Sequence, residues 1–362
     1  SCIKLSHSIC CWFYVRVNIS LIMKMKGMKD MTETFRAYYA EKNDHQVKSQ
    51  LKTLPIETIE SGDVLIRVAY SSINYKDALA AKKGAGVVKD YPIIPGIDLA
   101  GTVVESETSA FQPGDEVIAT SYDLGVSHHG GLSELARVKE EWVLPLPKNL
   151  TLEEAMIYGT AGYTAGLAIQ KLEDNGLTVE GSPVLVRGAS GGVGNLATMM
   201  LSAIGYKVVA STGNQQNEDY LKSIGADEVI PRVERESEKP LCKREWQAVI
   251  DPVGGKHVGD IIKRLKNRGS IALIGNTAGI DFETTVLPFI LRGNSILGVD
   301  SAETPMKIRK QIWRRLATDL KPEPLHSIKQ VISLDDVPDA MEQMLNNQSS
   351  GRFVVKINPD QQ

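Results

Sequence analysis

The stretch VLVRGASGGVGNLATMML at 184–201 constrains the fold of this chain more than any other. Val184 to Val186 read as a short buried strand, and from Asn195 the apolar residues Leu196, Met199, Met200 and Ala203 recur at helical spacing. Between them stand Gly188, Gly191, Gly192 and Gly194, residues without side chains at the seam of a strand and a helix. Such a seam is needed where a ligand must come close to bare main chain. The spacing Ala189-x-Gly191-x-x-Gly194 is a variant of the dinucleotide fingerprint with Ala in its first place. On this reading Gly191 lets a pyrophosphate approach the backbone and Gly194 lets the helix pack closely on the strand. The helix N-terminus adds free N–H groups and a favourable dipole.

The surrounding pattern predicts a parallel sheet. After Gly181 the chain alternates PVLVRG, a helix over 195–204, YKVVAST, a helix over 216–224, DEVI, WQAVID, a helix over 256–266, GSIALIG and NSILGVD. Short apolar strands separated by amphipathic helices mark a sheet covered on both faces. Residues 35–147 are strand-rich instead: DVLIRVAYSSI, GIDLAGTVVE and DEVIAT, punctuated by Gly and Pro, predict a β-barrel or a rolled sheet. Thr151 and Glu154 form a capping box that opens a long helix or a helix pair. From Thr304 the pattern predicts a helix, a strand around 326–332, a helix over 335–345 and a final strand RFVVKI that returns to the first domain. The predicted class is therefore α/β. A discontinuous β-rich domain at 31–150 and 303–362 encloses a doubly wound nucleotide-binding domain at 151–302, after a leader at 1–30.

The end of the second strand bears on which dinucleotide binds. An NAD site usually carries Asp or Glu about 20 residues past the glycines. Here Ser211, Thr212, Gly213 and Asn214 stand there, hydroxyl and amide donors that suit a 2′-phosphate, so NADPH is favoured over NADH. Arg232, just after the third strand, is either a further positive charge beside the adenine or a solvated surface charge.

Composition narrows the partners. The 362 residues carry 41 basic and 44 acidic side chains with no long run of one sign, which argues against nucleic acid as a partner. The segment SICCWFYVRVNISLIM is interrupted by Arg16 and Asn18, so it suits neither a membrane span nor a signal peptide. Residues 1–30 read as a non-native or disordered leader, with the native start expected at Met28 or Met31; intact mass of the natural protein tests this. Cys2, Cys10 and Cys11 fall in that segment and Cys242 stands alone, which fits a reducing, cytoplasmic setting and no metal knuckle.

With these motifs in place, the chain resembles the medium-chain dehydrogenase/reductase superfamily, and within it the zinc-free YhdH/YhfP-type quinone oxidoreductases, which include acrylyl-CoA reductases. The resemblance runs from about 35 to 357 and is carried by SSINYKDALA, PIIPGIDLAGTV, HHGGLSELARV, GTAGYTA, GASGGVG, YLKSIGAD, TTVLPFILRGNSILGVDS and NNQSSGR. NYKDALA and PFILRGNSILGVDS are particular to the subgroup. The resemblance implies a GroES-like catalytic domain, a Rossmann domain and NADP(H) in the cleft between them. Carried over by position, it places coenzyme contacts at Tyr75, Ser190, Gly191, Gly192, Val193, Thr212, Gly213, Asn214, Arg232, Asn276, Ile290, Ser301 and Asn346. Relatives often have Arg where this chain has Asn214, which leaves NADPH preferred but less strictly.

The resemblance also bears on metal and chemistry. Zinc members of the superfamily place Cys and a His–Glu pair at positions matching Asn74, Ile97 and Asp98, and carry a four-cysteine lobe that is absent here. His128 and His129 are adjacent in a loop read as structural. Without a Lewis acid, the site suits a substrate already activated toward hydride, such as an α,β-unsaturated thioester or a quinone. Tyr75 is the candidate proton donor or enolate partner, or else only positions the nicotinamide; Asp77 braces the NYKD turn. Lys76 and Arg292 either meet an anionic substrate tail or are solvated. Three readings remain: a reductase of activated double bonds with acryloyl-CoA the first choice, a quinone reductase, and a coenzyme-binding sensor with little turnover. NSILGVDS reads as an apolar sheet edge, which predicts a homodimer.

Overall fold

In the computed structural model, which describes residues 33–357 apart from 45, 84, 85 and 235, the strand-rich part opens with a hairpin. The leader expected at 1–30, with Cys2, Cys10 and Cys11, lies outside the described residues. The hairpin strands β1 (Thr34–Asn43) and β2 (Gln46–Pro55) pair antiparallel from Thr34↔Pro55 to Asn43↔Gln46. There follow β3 (Val64–Ser72), the single helical turn α1 (Tyr75–Ala78), β4 (Asp98–Ser106), β5 (Glu116–Thr120), β6 (Leu135–Val138) and β7 (Val143–Pro145). Helix α2 (Leu152–Asp174) leads into β8 (Val184–Val186), α3 (Gly192–Ala203), β9 (Val208–Thr212), α4 (Glu218–Ser223) and β10 (Glu228–Pro231). Next come β11 (Trp246–Asp251), α5 (Val258–Ile262), β12 (Leu265–Leu273), α6 (Leu287–Arg292) and β13 (Ser295–Gly298). The chain closes with α7 (Met306–Leu316), β14 (Lys329–Ser333), α8 (Val337–Leu345) and β15 (Arg352–Lys356).

The first sheet is rolled around β3. One edge of β3 carries β4, while the other is shared, with Val64–Arg67 paired to β6 and Tyr70–Ser72 paired to β15. Its order is β14-β15-β3-β4-β5-β7, so the C-terminal strands do return to the strand-rich half. Alternation along β3 and β4 buries Val64, Ile66, Val68 and Val103 in one core, which Val337, Ala340 and Met341 of α8 close.

The second sheet has the order β10-β9-β8-β11-β12-β13, with every pair parallel. Its strands are apolar on both faces because both are covered. Val184, Val186, Val208, Ala210, Ala248 and Ile250 meet α2 and α3 on one side. Leu185, Val209 and Val249 meet Val258 and Ile261 of α5 on the other. Strand order reverses between β8 and β11, and in such sheets the ligand crevice lies outside the carboxyl ends at that switch point.

The structure decides between two readings of one helix and moves the end of another. The Thr151–Glu154 capping box is present, with reciprocal bonds of 3.1 and 3.0 Å, but helical geometry breaks at Gly159 (φ 50°), so the helix-pair alternative holds. The helix expected over 256–266 ends at Ile262. Leu265, fully buried, pairs with Trp246 of β11 and starts β12 instead.

Candidate active site

The glycine turn has the geometry its spacing predicts. Gly188 takes φ 55° and reverses the chain after β8. A side chain on Gly194 would collide with the Gly188 carbonyl, so helix α3 can lie this close to the turn only with glycine there. Gly191 is different: a Cβ there would meet only the Gly188 carbonyl oxygen, at 3.4 Å, and open space otherwise. Its bare face looks outward at the first turn of α3, where Gly192 and Val193 present N–H groups the helix does not use. That is a fitting cradle for a pyrophosphate.

The neighbouring strand ends supply the rim. The Ser190 and Thr212 hydroxyls lie 3.4 Å apart, and the Asn214 backbone N–H donates to Thr212 Oγ1 at 3.2 Å. The Arg232 guanidinium lies flat against Gly213, so closely that a side chain at 213 would strike it. Asn276 follows β12 beside Gly254, and Ser301 follows β13. Eight of the thirteen predicted contacts, Ser190 to Val193, Thr212 to Asn214 and Arg232, thus gather at the ends of β8, β9 and β10. Ile290 stands on α6, 69% exposed, and Asn346 caps α8, the helix packed on α1.

Across from the glycines, α1 presents Tyr75, 46% exposed. Its turn is held from below. Asp77 Oδ2 accepts from the Asn74 backbone N–H (2.8 Å) and from its side-chain amide (3.2 Å), while Oδ1 accepts from the Ile97 N–H (2.9 Å). Asp77 thus braces the NYKD turn as expected. Asn74 Nδ2 also donates to Asp98 Oδ2 (2.7 Å), which accepts from Ser72 Oγ (2.8 Å) as well; the Thr160 N–H and hydroxyl complete the shell of Asp98. Arg352, 3% exposed, joins this group from β15. Its Nε donates to Ile157 O (3.0 Å) and its Nη1 to Ile73 O and Asn74 Oδ1 (both 3.3 Å), while a Cβ on Gly192 would touch Nη1 at 3.2 Å. One guanidinium thus bonds to the Tyr75 turn and packs close to Gly192 of the glycine turn.

Burial, reinforced by the nearby Asp98 charge, pushes the Asp77 carboxyl from 3.8 up to about 7. An unfolded chain gives up this proton at lower pH than the native one, so this group withdraws stability as pH rises from about 4 to about 7 and has no further effect above that window. At 1.36 kcal/mol per unit, the loss is on the order of 4 kcal/mol. Urea midpoints measured from pH 4 to 8 should show this slope in the native chain and lack it in Asp77→Asn. Identical slopes would refute the assignment.

Comparisons with known proteins bear on the family and the fold. The family model for the alcohol dehydrogenase GroES-like domain matches residues 60–148, and that for zinc-binding dehydrogenases matches 192–318. The chain is 51% identical to the Bacillus subtilis protein YhfP, a quinone oxidoreductase by name, over 90% of this chain and 100% of that one. The crystal structure of YhfP with NAD bound superposes with a TM-score of 0.88. The chain belongs to the quinone oxidoreductase/acrylyl-CoA reductase family of medium-chain dehydrogenases/reductases. Another member, the acrylyl-CoA reductase AcuI of Ruegeria pomeroyi, is 40% identical over 90% of this chain and 99% of that one. The YhdH oxidoreductase of Salmonella enterica, crystallised with NADP, is 41% identical with a TM-score of 0.87, covering 89% of this chain and 100% of that one.

Because one matching family model is named for zinc, the donor set of this family member matters. Among the described residues no group of three or more His, Cys, Asp or Glu could hold a metal ion. At Asn74, Ile97 and Asp98 the structure places an amide, an aliphatic side chain and a carboxylate already surrounded by hydrogen-bond donors. His129 Nδ1 accepts from the Ile94 N–H (3.0 Å), and burial lowers its pKa to about 4. His128 bonds to the carbonyls of His129 and Ser61.

Arg292 corrects the sequence reading. It is neither solvated nor free for an anionic tail: it is buried and donates to the carbonyls of Lys263, Leu265 and Cys242 at 2.7–3.0 Å. Lys76 is exposed. Two buried groups of this family member escaped sequence reasoning. Besides Asp98 with Arg352, Arg187 pairs with Asp251 at 2.7 Å and reaches Gly254 O at 3.1 Å, bracing both walls of the crevice. The only signal for either was a charge inside an otherwise apolar strand.

Proposed function

We propose that the protein is a zinc-independent, NADPH-dependent reductase of activated carbon–carbon double bonds, acting on an acryloyl-CoA-like enoyl thioester. The observation that carries this reading is the open Gly191 face at the start of α3, held opposite Tyr75 through Arg352. Gly191, Gly192 and Val193 would hold the pyrophosphate. Thr212, Gly213, Asn214 and Arg232 would hold the 2′-phosphate, where no carboxylate repels it and a guanidinium lies ready. The NADP bound to the Salmonella relative supports this, and the NAD bound to the Bacillus relative agrees with a preference that is not strict.

When bound, the reduced nicotinamide coenzyme, held by Gly191 to Val193 and Thr212 to Asn214, would supply a hydride equivalent for the β-carbon of the double bond. The chain's own residues manage the charge this creates. With the metal positions filled by Asn74, Ile97 and Asp98, no Lewis acid polarises the substrate, so its own thioester carbonyl must take up the electrons. Tyr75, the exposed phenol on a turn fixed by Asp77 and Asn74, donates a hydrogen bond to the enolate oxygen, and the α-carbon takes its proton from this side or from water. Tyr75→Phe should lower kcat about a hundredfold with an unchanged NADPH Kd. A normal kcat would leave Tyr75 a packing residue.

NADPH oxidation followed at its absorbance with acryloyl-CoA, crotonyl-CoA and a simple quinone tests the reaction class. The name of the Bacillus relative favours the quinone, and turnover with quinone alone would move the assignment there. Silence with every acceptor, with NADPH still bound, would leave a sensor. We further propose a homodimer through β13, the edge of the parallel sheet, where Ile296 on that strand and Val286, Ile290 and Leu291 before it are exposed. Sedimentation equilibrium at submicromolar concentration checks it; a monomer would overturn it. A reducing cytoplasmic setting fits the free Cys242 and is checked by cell fractionation.

A further inference from the structure

Helix α7 carries a guanidinium that the chemistry above does not use. Arg309 is 1% exposed and lies between two aromatic rings, its Cζ 4.3 Å from the centroid of Tyr122 and 4.5 Å from that of Tyr163. Its donors are fully committed. Nη1 donates to the carbonyl and the hydroxyl of Thr120 (3.1 and 3.0 Å), Nη2 to the carbonyls of Ser301 and Ala302 (3.0 and 3.3 Å), and Nε to Tyr122 Oη (3.2 Å). A guanidinium has five N–H donors, and here there are five acceptors. Thr120 ends β5 in the rolled sheet, whereas Ser301 and Ala302 lie on the loop leaving β13 of the parallel sheet. Arg309 thus holds the two sheets together at the loop that carries Ser301.

The partner side of this clamp is a strained turn. Ser121 and Tyr122 both take left-handed backbone geometry, φ 63° and 50°, without being glycine. What holds them is cross-sheet bonding: the Tyr122 N–H donates to Ala302 O (3.2 Å) and its hydroxyl to Thr304 O (3.0 Å). The same turn reaches the Tyr75 support, because Ser121 N–H donates to Ile97 O (2.7 Å) and Ser121 Oγ lies 2.9 Å from Thr160 Oγ1, a donor to Asp98.

We propose that Arg309 is a positioning residue for the coenzyme. It fixes the 300–304 loop on the Ser121–Tyr122 turn and so sets the nicotinamide end of the crevice in register with the Asn74–Asp77 turn. The inference rests on the coenzyme reading of Ser301 given above.

The test uses the full chain with Arg309→Lys, which keeps the charge but has three donors on a point-like head and cannot span both sheets. Expected are a NADPH Kd, read by nicotinamide fluorescence, raised about tenfold, and a kcat lowered about tenfold. Hydrogen exchange should speed up in 299–305 and 119–123 and stay unchanged at 188–194. A variant that melts earlier but keeps Kd, kcat and loop exchange would make Arg309 a mere stability element and overturn the proposal. If the lysine variant does not fold, Tyr122→Phe removes only the hydroxyl that links Arg309 to Thr304. It should raise Kd about threefold, and an unchanged Kd with unchanged exchange overturns the proposal equally. Native protein that binds neither NADPH nor NADP+ would instead sink the coenzyme reading, with loop exchange still reporting whether the clamp exists.

Discussion

Gly191→Val should abolish coenzyme binding and leave the fold intact. The backbone at 191 is extended, φ −81° and ψ 171°, a conformation that β-branched residues adopt readily, and a Cβ there meets only the Gly188 carbonyl at van der Waals distance. The cost falls on the ligand: the valine methyls would occupy the space where phosphate oxygens must reach the first N–H groups of α3. Loss of those charge-assisted bonds should raise the NADPH Kd at least about a hundredfold, near 3 kcal/mol. Gly194→Ala should do the opposite. Its Cβ would collide with the Gly188 carbonyl and lie 2.7 Å from Ala189 Cα, so α3 must lift from β8 at a cost of about 1–3 kcal/mol. Thermal melting and fluorescence titration of the pair separate a ligand surface from a packing surface. A Gly191→Val protein with native affinity would show that the coenzyme does not sit on this turn.

What the sequence made legible was what local physics decides. Gly188 and Gly194 sit where only glycine fits, so spacing alone announced the turn, and the apolar runs 184–186, 208–212 and 246–251 are buried on both faces as their composition demands. Boundaries set by tertiary competition were less legible. Leu265 continues the apolar period of the preceding helix, but its pairing with Trp246 claims it for β12. Arg292 was misread because its acceptors are backbone carbonyls, which leave no trace in residue types. The polar group around Asp98 was hidden for another reason. Its members lie at Ser72, Asn74, Thr160 and Arg352, and nothing short of the fold brings them together.

Arg352→Met should cost about 3 kcal/mol of stability near neutral pH, and the cost should grow with alkalinity. Methionine fills most of the slot against Gly192 and Gly159 and removes the positive charge next to Asp98 and Asp77. Arg352 itself is held at some expense, since burial lowers its pKa and its Nη2 has no hydrogen-bond partner among the described residues. The two carboxylates explain why a cation belongs there. Without it the Asp77 carboxyl, already near 7, binds its proton more tightly in the folded state and stays protonated further into the alkaline range. The unfolded chain ionises as before, and the difference is subtracted from stability as pH rises. Urea midpoints at pH 5 and pH 8 should therefore differ more in Arg352→Met than in the native chain, and the double variant Arg352→Met/Asp77→Asn should recover part of the pH 8 loss. A loss equal at both pH values would mean that Arg352 acts through its hydrogen bonds to Ile73, Asn74 and Ile157 and not through its charge. Under either outcome NADPH affinity should fall, because the same side chain stands behind Gly192 on one side and Asn74 on the other.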